Sequence, residues 1–216
     1  MLAPASGINS LGMTDARRQP PAMMRNREPI LRVLKQVLPS SGLVLEIASG
    51  SGGHAAWCVK HLGGVDWQPS EVTLADGAAD SINAWANWAA TGRMRPAIQL
   101  DVEQTEWPIA AADAIVCINM VHISPWQTTK GLLAGAARIL DTGGVLYLYG
   151  PYLVEGTPTA AGNLAFDEDL RRRNPEWGLR TLEAVAKEAA MHGLVLEGTH
   201  AMPSNNLSVV FRRQVS

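Results

Sequence analysis

The chain has 216 residues, 47% of them hydrophobic and 18% charged, with a formal net charge of −2. That balance excludes a disordered chain and gives one domain with a substantial core. It supplies no basic field for a nucleic-acid backbone, and no run approaches the roughly 18–20 apolar residues of a membrane span, so neither partner is expected.

Residues 1–20 mix Pro, Gly and Ser with the charged Asp15, Arg17 and Arg18, and read as a flexible N-terminal arm rather than a signal peptide. The remainder, 21–216, reads as a single domain. "RNREPILRVLKQVLP" sets Ile30, Val33, Leu34, Val37 and Leu38 on one side of a helix ending at Pro39. Strand and helix patterns then alternate: a strand over Leu43 to Ala48, a helix over Gly53 to Leu62, a strand over Val65 to Pro69 and a helix over Ala78 to Ala90. "RPAIQLDV" (95–102) gives the third strand, "ADAIVCINM" (112–120) the fourth, Trp126 to Leu140 a helix and "GGVLYLYG" (143–150) the fifth. Continuously apolar strands separated by helices indicate a parallel sheet covered on both faces.

Residues 152–180, rich in Pro, Gly, Asn and Arg, read as a lid or substrate-site insertion over the carboxyl ends of the strands, where such sheets bind ligands. Within it, Arg171, Arg172 and Arg173 read as a solvated helix face. A helix over Thr181 to His192 stops at Gly193, and "LVLEGTHAM" and "NLSVVFRRQ", joined by a short polar link, pair antiparallel. The fold class is therefore α/β: a seven-stranded, mostly parallel Rossmann-like sheet with helices on both faces and a C-terminal antiparallel hairpin. Cys58 and Cys117, the only cysteines, sit in apolar runs and read as buried free thiols in a reducing cytoplasm. The five histidines show no metal-ligand spacing, so no metal is expected.

"LEIASGSGGHAAW" (45–57) is a strand, a tight turn and a helix. Glycines let a ligand approach the main chain, and the first N–H groups of the helix lack internal partners. Gly50-x-Gly52-x-x-Ala55 also satisfies the nicotinamide-dinucleotide pattern, so the turn alone does not choose between that cofactor and S-adenosylmethionine. Glu46 bears on the choice, because a carboxylate repels a pyrophosphate but suits a sulfonium and an amino group. Glu71 follows strand two, where an acid can accept both ribose hydroxyls, and Asp101 follows strand three, within reach of an adenine amino group.

The segment "CINMVHISPW" (117–126), with "RNREPIL", "WQPSE", "GGVLYLYGPY", "FDEDLRRRNPEWGLR" and "MPSNNLSVVFRR", closely resembles the family called domain of unknown function 938, the methyltransferase-like 26 proteins. The resemblance covers nearly all of the chain after about residue 20. It implies a class I S-adenosylmethionine-dependent methyltransferase fold. Two positions depart from the family pattern: Met24 stands where an acid precedes the Arg-Asn pair, and Glu71 where Asp follows "QPS".

The cofactor set expected on these grounds is Arg25, Asn26, Glu46, Ala48, Gly50, Ser51, Gly52, His54, Ser70, Glu71, Asp101, Val102 and Asn119. Arg25 and Asn26 can fold back onto the cofactor carboxylate. Asn119 and His122 follow strand four, where the transferred methyl should lie; Asn119 can hold the acceptor, and His122, titrating near neutrality, can remove a proton. Trp67, Trp126 and Trp177 are expected in or near loops over the site. With Tyr149, Tyr152, Phe166, Asn163, Arg180, Asn205 and Asn206 they can line a pocket for a small acceptor. The leading expectation is methyl transfer from S-adenosylmethionine to a small molecule. The rivals are a non-catalytic S-adenosylmethionine-binding or scaffold protein and a nicotinamide-dependent oxidoreductase, against which Glu46 speaks.

Overall fold

Strands that are apolar at every position need cover on both faces, and the computed structural model, which describes residues 15–214, shows how this chain provides it. Alternate residues of one strand feed two separate cores. Val44, Trp67, Val116 and Tyr147 point to a core shared with Ile30, Leu34, Ala55, Val59, Ile82 and Trp85. Leu45, Ile115, Leu146 and Phe211 point to the other, shared with Leu132, Leu133, Ala136, Val185 and Ala189. The first group of helices is α1 (Pro21–Val37), α2 (Gly53–His61) and α3 (Ala78–Ala89); the second is α4 (Trp126–Ile139) and α6 (Leu182–Met191). A further helix, α5 (Ala161–Arg173), lies in the segment between β5 and α6.

The strands are β1 (Gly42–Ile47), β2 (Val65–Glu71), β3 (Ile98–Gln99), β4 (Ala112–Ile118), β5 (Leu140–Gly150), β6 (Leu194–Met202) and β7 (Asn206–Arg213). Their order across the sheet is β3-β2-β1-β4-β5-β7-β6, with β1 to β5 parallel and β7 antiparallel to both neighbours. The expected mostly parallel seven-stranded sheet with a C-terminal hairpin is the one observed. Because β1 neighbours β4, their carboxyl ends open a crevice where the strand order reverses.

Three local readings change. The third strand is two residues long rather than eight, with one further bridge at Met94; Pro96 has no N–H to give to the ladder, which interrupts pairing at this sheet edge. The 152–180 segment contains α5, which buries only Asn163 and Leu170 and so carries almost no apolar period. Of the arm expected over 1–20, residues 1–14 lie outside the described residues. The part from Asp15 onward is tied to α3: Arg18 N donates to Ser81 Oγ at 3.0 Å, and Trp85 Nε1 donates to the Arg18 carbonyl at 3.0 Å. No helix among the described residues is long and apolar enough to cross a membrane.

Helix α4 approaches the loop after β3 closely enough to require glycine. A Cβ at Gly131 would lie 2.5 Å from the Val102 carbonyl oxygen and 3.1 Å from Glu103 Cα, both backbone atoms. Gly131→Ala is therefore expected to lower stability by about 1–3 kcal/mol, read from the urea midpoint at unchanged slope.

Candidate active site

The turn after β1 is held by hydroxyls. Ser49 N donates to the Ser70 carbonyl at 2.9 Å, Ser70 N to Ser49 Oγ at 3.1 Å, and Ser70 Oγ to the Glu46 carbonyl at 2.7 Å. Ala48, Gly50 and Gly52 take φ of 55°, 58° and 85°. The two glycines serve different ends. A Cβ at Gly52 would lie 2.9 Å from Ile82 Cα, so this residue allows α3 to pack, whereas a Cβ at Gly50 would meet nothing within 4 Å, so that face is open to a ligand. Ser51 accepts a hydrogen bond from Ser81 Oγ at 2.8 Å.

A cavity of about 430 Å³ opens beside this turn, lined among others by Ala48, Gly50, Glu71, Asp101, Val102, Glu103 and Ile123. Glu71 Oε1 accepts from Gly50 N, and burial raises its carboxyl above the usual range. Asp101 accepts from Glu103 N at 3.0 Å and Gln104 Nε2 at 3.1 Å, which fixes its carboxylate at the cavity wall. Beneath the turn Glu46 is 1% exposed, and its Oε2 has no hydrogen-bond partner among the described residues. Burial pushes its carboxyl up to about 7, and contacts with Ser49 and Trp67 only partly offset that.

A second cavity of about 590 Å³ adjoins the first, and Ile123 lines both. Its wall includes Arg25, Asn26, Asn119, His122, Tyr149, Asn163, Phe166 and Asn205. Asn119, immediately after β4, holds φ at 67° and donates its N–H to the Tyr149 carbonyl at 2.8 Å. His122 is packed below Gly150, where a Cβ would lie 2.9 Å from Nδ1, and sits edge-on to Phe166 with centroids 5.6 Å apart. The expectation that it titrates near neutrality is corrected. Burial, then the nearby Arg180 charge, lowers His122 to about 4, leaving a neutral ring and a weak base. Asn26 Oδ1 meets His54 Nε2 at 2.8 Å, tying α1 to the first turn of α2; burial lowers His54 to about 4 as well.

Not every residue expected at the site reaches these walls. Trp67 is fully buried in β2, inside the sheet rather than in a loop over the site. Trp126 and Trp177 line neither cavity: the Arg180 guanidinium lies 5.9 Å from the Trp126 ring, and Arg173 lies 5.2 Å from Trp177. Arg180 donates instead to the Ser124 and Glu176 carbonyls at 2.8 and 2.7 Å. Tyr152, 6% exposed, lines a smaller space of about 250 Å³ shared with Asn163 and Asn205. Of the larger cavity's wall the sequence reading missed Ala22, Ile123, Pro151, Gly162, Pro203 and Ser204; Ile123, 40% exposed inside an apolar motif, is the member with a recognisable signal.

Residues 17–213 match the family described as "Protein of unknown function (DUF938)". The chain belongs to that family. Solved structures similar to this DUF938 member include an O-methyltransferase family protein from Burkholderia thailandensis (TM-score 0.75, 16% identity, 90% of this chain and 58% of that one). Human N-acetylserotonin methyltransferase in complex with S-adenosylmethionine is similar at TM-score 0.73 and 13% identity, over 90% of this chain and 53% of that one. So is a putative sarcosine dimethylglycine methyltransferase from Galdieria sulphuraria, at TM-score 0.71 and 15% identity, over 89% and 87%. The chain thus spans between half and three-fifths of the first two. At such identities the likeness establishes the fold, that of the class I methyltransferases.

Glu46 gives a pH signature with a definite sign. Its folded pKa, about 7, lies above the ordinary 4.5, so its contribution to stability is complete below about pH 4.5 and is lost as pH rises through 7. The 2.5-unit interval corresponds to about 3 kcal/mol. The neutral histidines act oppositely at lower pH, so the difference between wild type and Glu46→Gln isolates the effect: the variant should gain relative stability from pH 5 to 8 in denaturant titrations. For His122, imidazole NMR should show protonation near pH 4 rather than near 6.5.

Proposed function

We propose that this protein is an S-adenosylmethionine-dependent methyltransferase acting on a small-molecule acceptor. The observation that carries this reading is the pair of adjoining cavities at the carboxyl ends of β1 and β4, one lined by acids and the other by amides and rings, which meet at Ile123. The residues suit the cofactor. Glu46 Oε2 is a buried oxygen with no hydrogen-bond partner among the described residues, which a nearby cationic group would stabilise. Gly50 leaves room for a close approach. Glu71 is placed to exchange the Gly50 N–H for ribose hydroxyls, and Asp101, with two of a carboxylate's roughly four acceptor positions in use, keeps capacity for an adenine amine. The neighbouring fold in the human enzyme, described with S-adenosylmethionine, supports the same choice.

When bound, S-adenosylmethionine supplies a methyl group on a sulfonium that departs as a neutral thioether under in-line attack. The chain's own part is placement. Asn119 and His122 line the larger cavity, on the acceptor side, His122 as a neutral hydrogen-bonding group. Orientation of this kind can lower a barrier by about 7–11 kcal/mol. Helix α5 brings Asn163 and Phe166 to the same cavity and acts as a lid that excludes water. Two buried free thiols, Cys58 and Cys117, suit a reducing compartment such as the cytoplasm.

Calorimetric titration tests this reading. S-adenosylmethionine and S-adenosylhomocysteine should bind and NAD should not. Loss of a charged acceptor in Glu71→Ala should weaken both by about ten- to a hundredfold, the equivalent of 1.5–3 kcal/mol. Absence of binding by either sulfur nucleotide removes the proposal.

A further inference from the structure

We propose that the acceptor is a small anion with an apolar body, a carboxylate by preference, and that Arg25 binds its charge. This rests on the methyltransferase reading of the two cavities. The argument begins with where the charges lie. Among the described residues, the nucleoside-side cavity is lined by Glu71, Asp101 and Glu103 and by no Lys or Arg. The larger cavity is lined by Arg25 and by no Asp or Glu among the described residues. The chain is net negative overall, so this separation is local and does not follow from composition.

Arg25 also differs from Arg17, Arg18 and Arg27 in what it touches. Arg17 pairs with Asp15 at 2.6 Å, Arg18 donates to the Asp76 carbonyl, and Arg27 lies 3.9 Å over the Trp57 ring. Among the described residues Arg25 makes no hydrogen bond or ion pair, and Glu28, one turn on, is not within ion-pair distance. Arg180 stands behind His122 and adds positive potential to the same wall, but its guanidinium is bound to the Ser124 and Glu176 carbonyls. Asp167, whose charge acts on Arg180, is engaged by Arg171 and by Leu179 N.

An ammonium entering the larger cavity would find no carboxylate and would face Arg25, an arrangement that disfavours a desolvated cation. A carboxylate would find an exposed guanidinium with no protein partner among the described residues, able to form a charge-assisted bidentate pair. Ile123, Tyr149, Pro151, Phe166 and Pro203 supply apolar surface for the rest of the molecule. The competing role for Arg25 is to hold the carboxylate of the cofactor itself, and the two roles separate experimentally.

The test uses the full chain, wild type and Arg25→Gln, with three phenols of matched shape: 4-hydroxybenzoate, 4-hydroxybenzyl alcohol and tyramine. Each is titrated with and without saturating S-adenosylhomocysteine, and S-adenosylhomocysteine affinity is measured separately. The expected result is that 4-hydroxybenzoate binds wild type roughly tenfold or more tightly than tyramine, with the alcohol between. Arg25→Gln should bring the three together while leaving S-adenosylhomocysteine affinity unchanged. Equal binding of the anion and the cation, or binding of none of the three, overturns the proposal. So does an Arg25→Gln variant that loses S-adenosylhomocysteine affinity but keeps the phenol preference, which would place Arg25 on the cofactor. Failure of wild type to bind S-adenosylhomocysteine would remove the methyltransferase reading instead, and the titrations without nucleotide would still decide the charge preference.

Discussion

The parallel pairing of β1 with β4 is the constraint from which the rest of the site follows. The two strands stay in register from Val44 opposite Ala114 to Ile47 opposite Cys117, and shortly beyond that both backbones turn into the left-handed region, at Ala48 (φ 55°) and Asn119 (φ 67°). Non-glycine residues in that region cost on the order of 1–3 kcal/mol each. Such a cost persists only where surrounding contacts over-determine the geometry. Here the Ser49 and Ser70 hydroxyls fix one turn and the Asn119-to-Tyr149 hydrogen bond fixes the other. The two chains separate, and the crevice between them becomes the meeting point of the two cavities.

Burial then sets the electrostatics. Glu46 lies in a strand whose neighbours are apolar, with the two thiols of Cys58 and Cys117 in the same interior. A carboxylate there is poorly solvated, so it holds its proton to about pH 7 unless positive charge arrives. The same desolvation acts on His54 and His122 with the opposite sign and keeps both rings neutral. One physical effect therefore leaves a protonated acid beneath the turn and two histidine rings that carry no charge.

The outer wall of the larger cavity is held more lightly. Helix α5 buries only Asn163 and Leu170, and Asn163 Nδ2 donates to the Asn205 carbonyl at 3.0 Å. Asn205 belongs to the hairpin turn between β6 and β7, where Ser204 and Asn205 have φ of 60° and 55°. Leu164, 48% exposed, faces outward from this helix, and Phe166 keeps 38% of its surface exposed where it lines the cavity. With so few buried apolar contacts, this helix is held by less free energy than the sheet it adjoins.

The sequence alone determined the alternation of strands and helices, the glycine turn, and the acids at the ends of the first three strands. These are local matters: the period of apolar residues reports which faces are covered, and a turn needing positive φ selects glycine at the same place in the chain. It marked α5 only by the solvated face at Arg171, Arg172 and Arg173, because the helix carries almost no apolar period, and it did not show the shortness of β3, where one proline outweighed an apolar run. Only the tertiary structure decided that Trp67 is interior, that Trp126 and Trp177 stand apart from the cavities, and that His122 is a neutral ring. Only it brought Arg25, Asn119, Asn163 and Asn205 to one wall. Burial and the sharing of a cavity depend on residues far apart in the chain, and no local pattern encodes the solvent that those distant neighbours exclude.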